Sequence, residues 1–338
     1  MTSKPKIRIG YVPEHYLTPL HLAVQLPQKD ALPFDIEIRP FPAGTGHMIT
    51  ALRGDDIDIG IGLTEGWIAG LTGKQQVGEG TSAGSEGGYK VVGQWVETPL
   101  RWAIVTGRDR GDLEGVEDLK GKRAGVSRIG SGSHIMSFVL SQQQGWSPND
   151  LEPVVLGPFP ALRDGVNGSG SSANHAGDPA QTAHAAEFFM WEHFTTKPEF
   201  DDRTAEQAGK PRPTLKKIGE IFTPWPSWLI AASTTTFPQP DTDDRLGALF
   251  NLLDAGIAEF NAQPDRVVDL LASGAFGCKY ARDDAREWME TVRFVQGGTR
   301  GLSRDIVEQT VAVLKVAGVI PSDLPMDRAV ELVTGIPR

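Results

Sequence analysis

Cysteine is almost absent from this chain. Its 338 residues include one, Cys278. A single thiol cannot close an internal disulfide, and no Cys/His spacing of the kind that holds a structural zinc ion occurs. The sequence therefore excludes a disulfide-stapled fold, and we expect no bound metal.

Long apolar runs are missing as well. No stretch reaches the roughly 18 apolar residues of a membrane-spanning helix, so we expect no stable membrane insertion. The basic residues near Met1 are not followed by the apolar segment of a secretory signal, which favours a cytoplasmic protein. Positive charge is in the minority, because 33 Lys and Arg face 43 Asp and Glu for a net charge of -10. Such a surface repels nucleic acid, and we expect no nucleic-acid partner.

Nucleotide-binding motifs are also lacking. Neither the phosphate-binding pattern Gly-x-x-x-x-Gly-Lys-Ser/Thr nor the dinucleotide pattern Gly-x-Gly-x-x-Gly occurs. We therefore expect no cofactor and assign no catalytic residue. His175, Asp178 and His184 are close in sequence, but they lie within a segment rich in Gly, Ser and Asn, which argues against a metal site there.

What the chain does contain is an alternation of strands and helices. Lys6–Val12, Asp35–Phe41 and Asp58–Gly62 have strand-like composition, and they alternate with helical patterns over Pro19–Gln28 and His47–Arg53. This alternation is typical of βαβ units and a parallel sheet.

Two lobes fit the length, because single hydrophobic cores stop growing at about 250–300 residues. A second α/β unit begins near Arg101, and the chain becomes helical after Asp241. The polar stretch Gly165–His184 has the composition of a flexible surface insertion.

Ligands of open parallel sheets bind beyond the carboxyl ends of the strands, so the residues that follow each predicted strand are the candidate site. Arg128 and His134 also follow a strand of the second unit. The candidate ligand-binding residues, with three nearby tryptophans, are Glu14, His15, Tyr16, Gly44, Thr45, Gly46, Thr64, Glu65, Ser127, Ser131, Gly132, Ser133, Trp191, Glu192, Trp225 and Trp228.

This set combines three kinds of group. Its carboxylates accept hydrogen bonds, its hydroxyls and helix-start amides donate them, and its indoles offer flat faces. The combination favours a nitrogen heterocycle or an amine over a bare phosphate. Each residue also has an ordinary interpretation, as a solvated loop carboxylate, a helix cap or a packing aromatic.

Four segments resemble a known family. Ile7–His15 and Gly54–Gly60 resemble the start of a type II periplasmic-binding-protein fold. Phe189–Pro198 and Gly219–Trp228 resemble a mostly fungal, intracellular branch that is similar to thiamine-pyrimidine precursor proteins.

The resemblance implies an α/β, two-lobed periplasmic binding protein-like II fold with mixed, mostly parallel sheets and an interlobe ligand cleft. Lobe I would comprise residues 1–98 and 226–338, and lobe II residues 99–225. It also implies hinge closure on a ligand such as an aminopyrimidine. Eukaryotic pyrimidine synthases of that family carry a cysteine-rich, iron-associated motif, and the lone Cys278 argues against that chemistry here.

Three functions stay open from the sequence. The first is a non-catalytic protein that binds a small polar or aromatic molecule. The second is an enzyme of pyrimidine or thiamine-precursor biosynthesis, with Glu14, His15 and Glu65 as acid–base groups. The third is a protein-interaction module that uses the exposed Gly165–His184 insertion or a Trp-bearing surface. The oligomeric state is not predicted.

Overall fold

The computed structural model describes residues 4–73, 87–168 and 184–338, which form two compact units. Unit 1 comprises Met1–Pro99 and Pro224–Arg338, and unit 2 comprises Leu100–Thr223. The sequence placed these two boundaries at 98/99 and 225/226. Most of the predicted insertion, residues 169–183, lies outside the described residues. No helix in the described ranges is long and apolar enough to cross a membrane.

The described strands are numbered in chain order. They are β1 Lys6–Tyr11, β2 Asp35–Pro40, β3 Ile59–Leu63, β4 Tyr89–Val96, β5 Arg101–Gly107, β6 Arg123–Val126, β7 Glu152–Val155, β8 Phe188–Glu192, β9 Leu215–Phe222 and β10 Trp228–Ser233.

The described α-helices are numbered in the same way. They are α1 Thr18–Ala23, α2 Thr45–Arg53, α3 Thr64–Thr72, α4 Gly132–Gln143, α5 Phe159–Val166, α6 His193–Thr196, α7 Asp202–Gln207, α8 Asp244–Ala262, α9 Pro264–Ser273, α10 Arg282–Thr291, α11 Arg304–Val316 and α12 Met326–Val333.

Unit 1 is built on a five-stranded sheet of order β2-β1-β3-β10-β4. Strand β1 pairs in parallel with β2 and β3, whereas β10 runs antiparallel to β3 and β4. Trp228 at the start of β10 lies opposite Leu63 and Val96, which end β3 and β4. One edge of the sheet, here called the unit 1 strand edge, therefore collects the carboxyl ends of β1, β3 and β4 and the amino end of β10.

Unit 2 repeats this arrangement with a sheet of order β7-β6-β8-β5-β9. Strand β6 pairs in parallel with β7 and β8, and β5 runs antiparallel to β8 and β9. Both sheets thus mix parallel and antiparallel pairs, and the predicted α/β fold with mixed sheets is confirmed.

The first helix is shorter than the sequence indicated. The predicted helix Pro19–Gln28 is α1, which ends at Ala23, followed by a separate 3-10 turn over Pro27–Ala31. Proline lacks the N–H that a helix interior needs, so the helix cannot continue through Pro27.

A glycine sets the contact between α1 and the long helix α8. A Cβ added at Gly256 would lie 2.3 Å from the Pro19 carbonyl oxygen and 2.6 Å from the Ala23 Cβ. The apolar residues of α8, such as Leu249 and Leu253, are buried on the same side of the helix. Because Gly256 has no side chain, the backbones of α1 and α8 can pack directly against each other.

The two segments that join the units are hydrogen-bonded to each other within each unit. In unit 1 the Ser227 Oγ and N–H donate to the Thr98 carbonyl oxygen at 2.7 and 3.3 Å. In unit 2 the Leu100 N–H donates to Thr223 Oγ1 at 2.9 Å, and the Thr223 N–H donates to the Leu100 carbonyl oxygen at 3.1 Å. Each unit thus holds its two chain ends side by side.

Candidate functional site

The loop after β1 turns inward rather than toward solvent. Glu14 is half-buried with an extended backbone, and it precedes a 3-10 turn over His15–Leu17. His15 is 1% exposed, its Nδ1 lies 2.7 Å from the Tyr280 hydroxyl, and its ring contacts Trp288 edge-on at 4.6 Å. His15 therefore connects the β1 loop to the C-terminal helices of unit 1.

Tyr16 links this loop to the start of β10. Its ring stacks on Trp228 with centroids 5.5 Å apart, and its carbonyl oxygen accepts from Trp95 Nε1 at 2.8 Å. Trp228 is 1% exposed, and its Nε1 has no hydrogen-bond partner among the described residues. The indole that the sequence assigned to ligand stacking is therefore stacked on Tyr16.

The Gly44–Gly46 turn fixes the start of α2. Gly44 has φ +80°, a conformation that suits glycine. Thr45 Oγ1 then accepts from the Leu63 N–H at 2.9 Å. A Cβ at Gly62 would lie 2.8 Å from that Thr45 oxygen, so glycine is needed there. Thr45 thus fastens α2 to the end of β3.

The start of α3 holds the segment that returns from unit 2. Thr64 Oγ1 donates to the Pro226 carbonyl oxygen, and the Thr64 N–H donates to the Ser227 carbonyl oxygen at 3.1 Å. Trp225 Nε1 donates to Glu65 Oε2 at 3.1 Å. The other carboxyl oxygen, Glu65 Oε1, has no partner in the described part of the chain.

Burial dominates the chemistry of Glu65. The residue is 1% exposed, and burial raises the pKa of its carboxyl to about 7. Its own N–H and the Trp225 indole act in the opposite direction, toward the ionised form. Glu65 can therefore carry a proton or a charge near neutral pH.

In unit 2, serines surround the start of α4. Ser131 caps the helix: its Oγ donates to the Arg128 carbonyl oxygen at 2.7 Å and accepts from the His134 N–H at 3.4 Å. Ser133 Oγ accepts from the Ser127 N–H at 3.0 Å and lies 3.0 Å from Ser131 Oγ. We call Ser127, Arg128, Ser131, Gly132 and Ser133 the α4 cluster.

The hydrogen bonds within the α4 cluster leave donor groups without a partner among the described residues. The Ser131 proton goes to the Arg128 carbonyl, so the Ser133 hydroxyl donates to Ser131. The first amides of a helix have no partner within it, and the Gly132 and Ser133 N–H groups bond to no other described residue. The exposed Arg128 guanidinium makes no ion pair among the described residues. The remaining groups all donate, and one is cationic.

His134 supports this arrangement without adding charge. Its Nδ1 accepts from the Gly130 N–H at 3.1 Å, and burial lowers its pKa. A neutral ring with Nδ1 as acceptor holds the loop that precedes α4.

The last strand end of unit 2 is occupied by helix capping. Glu192 Oε2 accepts from the Thr195 N–H at 2.6 Å, and the Thr196 hydroxyl donates to the Glu192 carbonyl oxygen at 2.6 Å. Trp191 is half-buried and packs on Phe159 with centroids 5.6 Å apart. Ligand contact by Glu192 and Trp191 stays a prediction.

The sequence candidates therefore form one group in each unit. Tyr280 and Trp288 were missed, although they complete the surroundings of His15. Trp288 lies in α10 and Tyr280 in the segment before it, both more than 250 residues from His15 in sequence, and nothing in the local pattern marks them. The described residues contain no group of three or more His, Cys, Asp or Glu side chains that could hold a metal ion. Burial, with the Glu14 charge, raises the pKa of the Cys278 thiol to about 12.

Comparison with known proteins adds the family context. The profile of the family described as "Ca3427-like PBP" matches residues 102–210. The solved structure of the Candida albicans CA3427 gene product, described as defining a new family with the generic periplasmic binding protein fold, is 31% identical. It covers 98% of this chain and 97% of its own, with a TM-score of 0.78. A search of curated proteins gave no match.

Two more distant structures share the fold. The alkanesulfonate-binding protein SsuA from Xanthomonas axonopodis pv. citri, bound to MOPS, is 15% identical and covers 98% of this chain and 99% of its own, with a TM-score of 0.68. PhnD1 from Prochlorococcus marinus, in complex with methylphosphonate, is 10% identical and covers 94% and 100%, with a TM-score of 0.52. At these identities the likeness concerns the fold.

Proposed function

Because the chain belongs to the family that the CA3427 gene product of Candida albicans defines, we propose that it binds a small polar or aromatic molecule without transforming it. The observation that carries the proposal is the α4 cluster, whose unused groups are all hydrogen-bond donors. These are the Gly132 and Ser133 N–H groups and the Arg128 guanidinium, whereas the Ser127 hydroxyl donates to Ser133 Oγ at 3.5 Å.

An array of donors at a helix start is suited to an oxyanion. A guanidinium beside it strengthens the attraction, because charge-assisted hydrogen bonds are the stronger kind. The distant relatives bound to MOPS and to methylphosphonate carry a sulfonate and a phosphonate. We therefore propose that the ligand carries an anionic group in addition to the nitrogen heterocycle that the sequence predicted. An aminopyrimidine with a phosphate arm is one molecule of this class.

Several observations support binding over catalysis. Thr45 and Thr64 accept from or donate to backbone groups, and Glu192 caps a helix. His15 Nδ1 contacts the Tyr280 hydroxyl, and the raised pKa of Cys278 disfavours a nucleophilic thiolate. These candidate groups thus have structural partners or an unreactive state. We propose in addition that the protein acts in the cytoplasm and closes by a hinge on its ligand.

The proposal is tested by calorimetric titration with sulfonates, phosphonates and phosphorylated aminopyrimidines. For a ligand that binds, Arg128→Gln should weaken binding about tenfold or more, because a hydrogen bond to a charged group contributes about 1.5–3 kcal/mol. Arg212→Gln is the matched control, since Arg212 is an exposed arginine of the same unit. Equal affinity of the Arg128 variant and the wild type would refute the role of the α4 cluster.

The fate of the ligand separates a binding protein from an enzyme. We expect the bound molecule to be recovered unchanged by mass spectrometry after prolonged incubation. Recovery of a new product would overturn the non-catalytic proposal. Small-angle scattering with and without the ligand tests hinge closure, and an unchanged radius of gyration would contradict it.

A further inference from the structure

Unit 1 contains a cavity that none of the candidate residues lines. It has a volume of about 740 Å³ and lies between the end of α8, the start of α9, one face of α10 and the segment that follows α10. All of its lining residues fall between Phe260 and Gln296, within unit 1. Sites for small molecules have volumes of roughly 300–1,000 Å³, so the cavity has the size of such a site.

The floor of the cavity is apolar and fixed by aromatic packing. Phe260 and Phe294 are buried, with ring centroids 4.9 Å apart, and Phe260 also contacts the Trp288 ring at 5.7 Å. Met289, which is half-buried, also lines the cavity. An apolar part of a ligand would therefore lie on Met289, above a rigid aromatic layer.

The segment after α10 forms one wall, and hydrogen bonds hold it in place. The Arg293 N–H donates to Thr98 Oγ1 at 3.2 Å, and the Gln296 N–H donates to Glu97 Oε1 at 2.8 Å. Gln296 Nε2 donates to the Phe294 carbonyl oxygen at 2.9 Å. The cavity is thus formed by the chain itself, as is usual for sites that receive small molecules.

The rim carries charges of both signs that do not pair with each other. Arg286 and Arg293 are exposed cations, and Asp265 and Glu290 are exposed carboxylates. The Arg293 guanidinium donates to the Glu290 and Val292 carbonyl oxygens at 3.1 and 2.9 Å. The side chains of Arg286, Asp265 and Glu290 make no ion pair in the described part of the chain, although Arg286 and Glu290 are four positions apart on α10, a spacing that permits one.

This mixed rim narrows the class of ligand. A simple anion would be attracted by the two arginines but repelled by the two carboxylates, and a simple cation would meet the reverse. A neutral apolar molecule would displace water from four charges without offering them a partner. A zwitterion can place each of its charges beside a group of opposite sign, and an apolar side chain on the same molecule matches the floor.

We infer that this cavity binds an α-amino acid with a large apolar side chain. The carboxylate of the amino acid pairs with Arg286, whose guanidinium has no other partner in the described chain. The ammonium group pairs with Asp265 and Glu290, and the side chain lies on Met289. This is a second site, separate from the α4 cluster of unit 2, and it does not depend on the ligand proposed above.

Calorimetric titration of the full chain tests the inference with matched probes. L-phenylalanine is compared with 3-phenylpropanoate, which lacks the amino group, and with 2-phenylethylamine, which lacks the carboxyl. L-leucine is compared in the same way with 4-methylpentanoate and 3-methylbutylamine. At least one of the two amino acids should bind about tenfold or more tightly than both of its analogues, because each analogue loses a charge-assisted hydrogen bond.

Exposed charges can be removed without disturbing the core, so three variants assign the contacts. Arg286→Gln should weaken binding of the amino acid about tenfold and remove its advantage over the amine. The double variant Asp265→Asn with Glu290→Gln should remove its advantage over the carboxylate analogue. Arg282→Gln is the matched control, since Arg282 is an exposed arginine of the same helix that pairs with Asp269 outside the cavity, and it should leave binding unchanged.

The outcomes separate this site from the proposed function. Absence of binding by both amino acids, or equal affinity of each amino acid and its analogues, would overturn the inference and leave the α4 cluster untouched. Binding that Arg286→Gln leaves unchanged would also overturn it. Arg128→Gln should have no effect on amino-acid binding, and a weakening there would assign the amino acid to the α4 cluster instead of the cavity.

Discussion

Glu65 should make the stability of unit 1 depend on pH in a specific direction. Burial raises the pKa of its carboxyl from 4.5 to about 7 in the folded chain. Between these two values the folded protein holds a proton that the unfolded chain has lost. Rising pH therefore removes stability, by about 1.4 kcal/mol per pH unit across this range. The full loss is about 3 kcal/mol, and above pH 7 no further loss follows from this group.

Glutamine at position 65 cannot ionise, and its carbonyl can still accept from Trp225. The wild type should therefore lose about 3 kcal/mol of stability between pH 4.5 and pH 8 that Glu65→Gln keeps. The free energy of unfolding of the variant minus that of the wild type should increase by this amount. Near pH 4.5 the two proteins should differ by the smallest amount, because both side chains are then neutral.

Urea denaturation at half-unit pH intervals, followed by tryptophan fluorescence, measures this difference. Glu290→Gln is the control, since Glu290 is an exposed glutamate of the same unit. If this difference in the free energy of unfolding stays constant with pH, or decreases as pH rises, burial does not raise the pKa of the Glu65 carboxyl.

Further predictions concern packing and the thiol. In α8, Gly247→Ala should raise the free energy of unfolding by about 0.5–1 kcal/mol in thermal or urea unfolding, because open space surrounds a Cβ at this position. In the same helix Gly256→Ala should lower it by about 1–3 kcal/mol, since the Cβ would meet Pro19 and Ala23; stabilisation there would contradict the described α1–α8 contact. Cys278 should react with iodoacetamide at pH 8 about 1000-fold more slowly than in the urea-unfolded chain, because its pKa rises from 9.0 to about 12. Glu14→Gln should speed that reaction, and equal rates in the folded and unfolded chains would refute the burial of the thiol.

Local pattern predicted the strand ends well, and partners distant in sequence were beyond it. Thr64 and Glu65 were expected after the third strand, and the structure places them at the start of α3. The partner of Glu65 is Trp225, 160 residues away, and the partner of His15 is Tyr280, 265 residues away. Such pairs depend on tertiary packing, which no spacing rule encodes.

Two candidate side chains also have structural contacts that the local pattern did not indicate. Trp228 was expected to offer a flat face to a ligand, which stays a prediction. Antiparallel pairing of β10 with β3 and β4 brings it to the strand edge, where Tyr16 stacks on it. Glu192 was expected at a ligand, which stays a prediction, and its Oε2 also caps the helix that begins at His193. Capping can be read from sequence only when the helix start is known, and α6 has four residues.

Because the two chain ends of each unit are hydrogen-bonded to each other, the chain can be divided into its two units by protein engineering. The ends of unit 2, Leu100 and Thr223, exchange two hydrogen bonds, so a gene for this segment would encode a product whose termini are already adjacent. The interruption of unit 1 is equally narrow, because Thr98 and Ser227 are bonded, and a short turn could replace everything between them. Each half of the molecule is thus a separate module for protein engineering, and a sensor domain could be inserted at this junction without stretching either sheet.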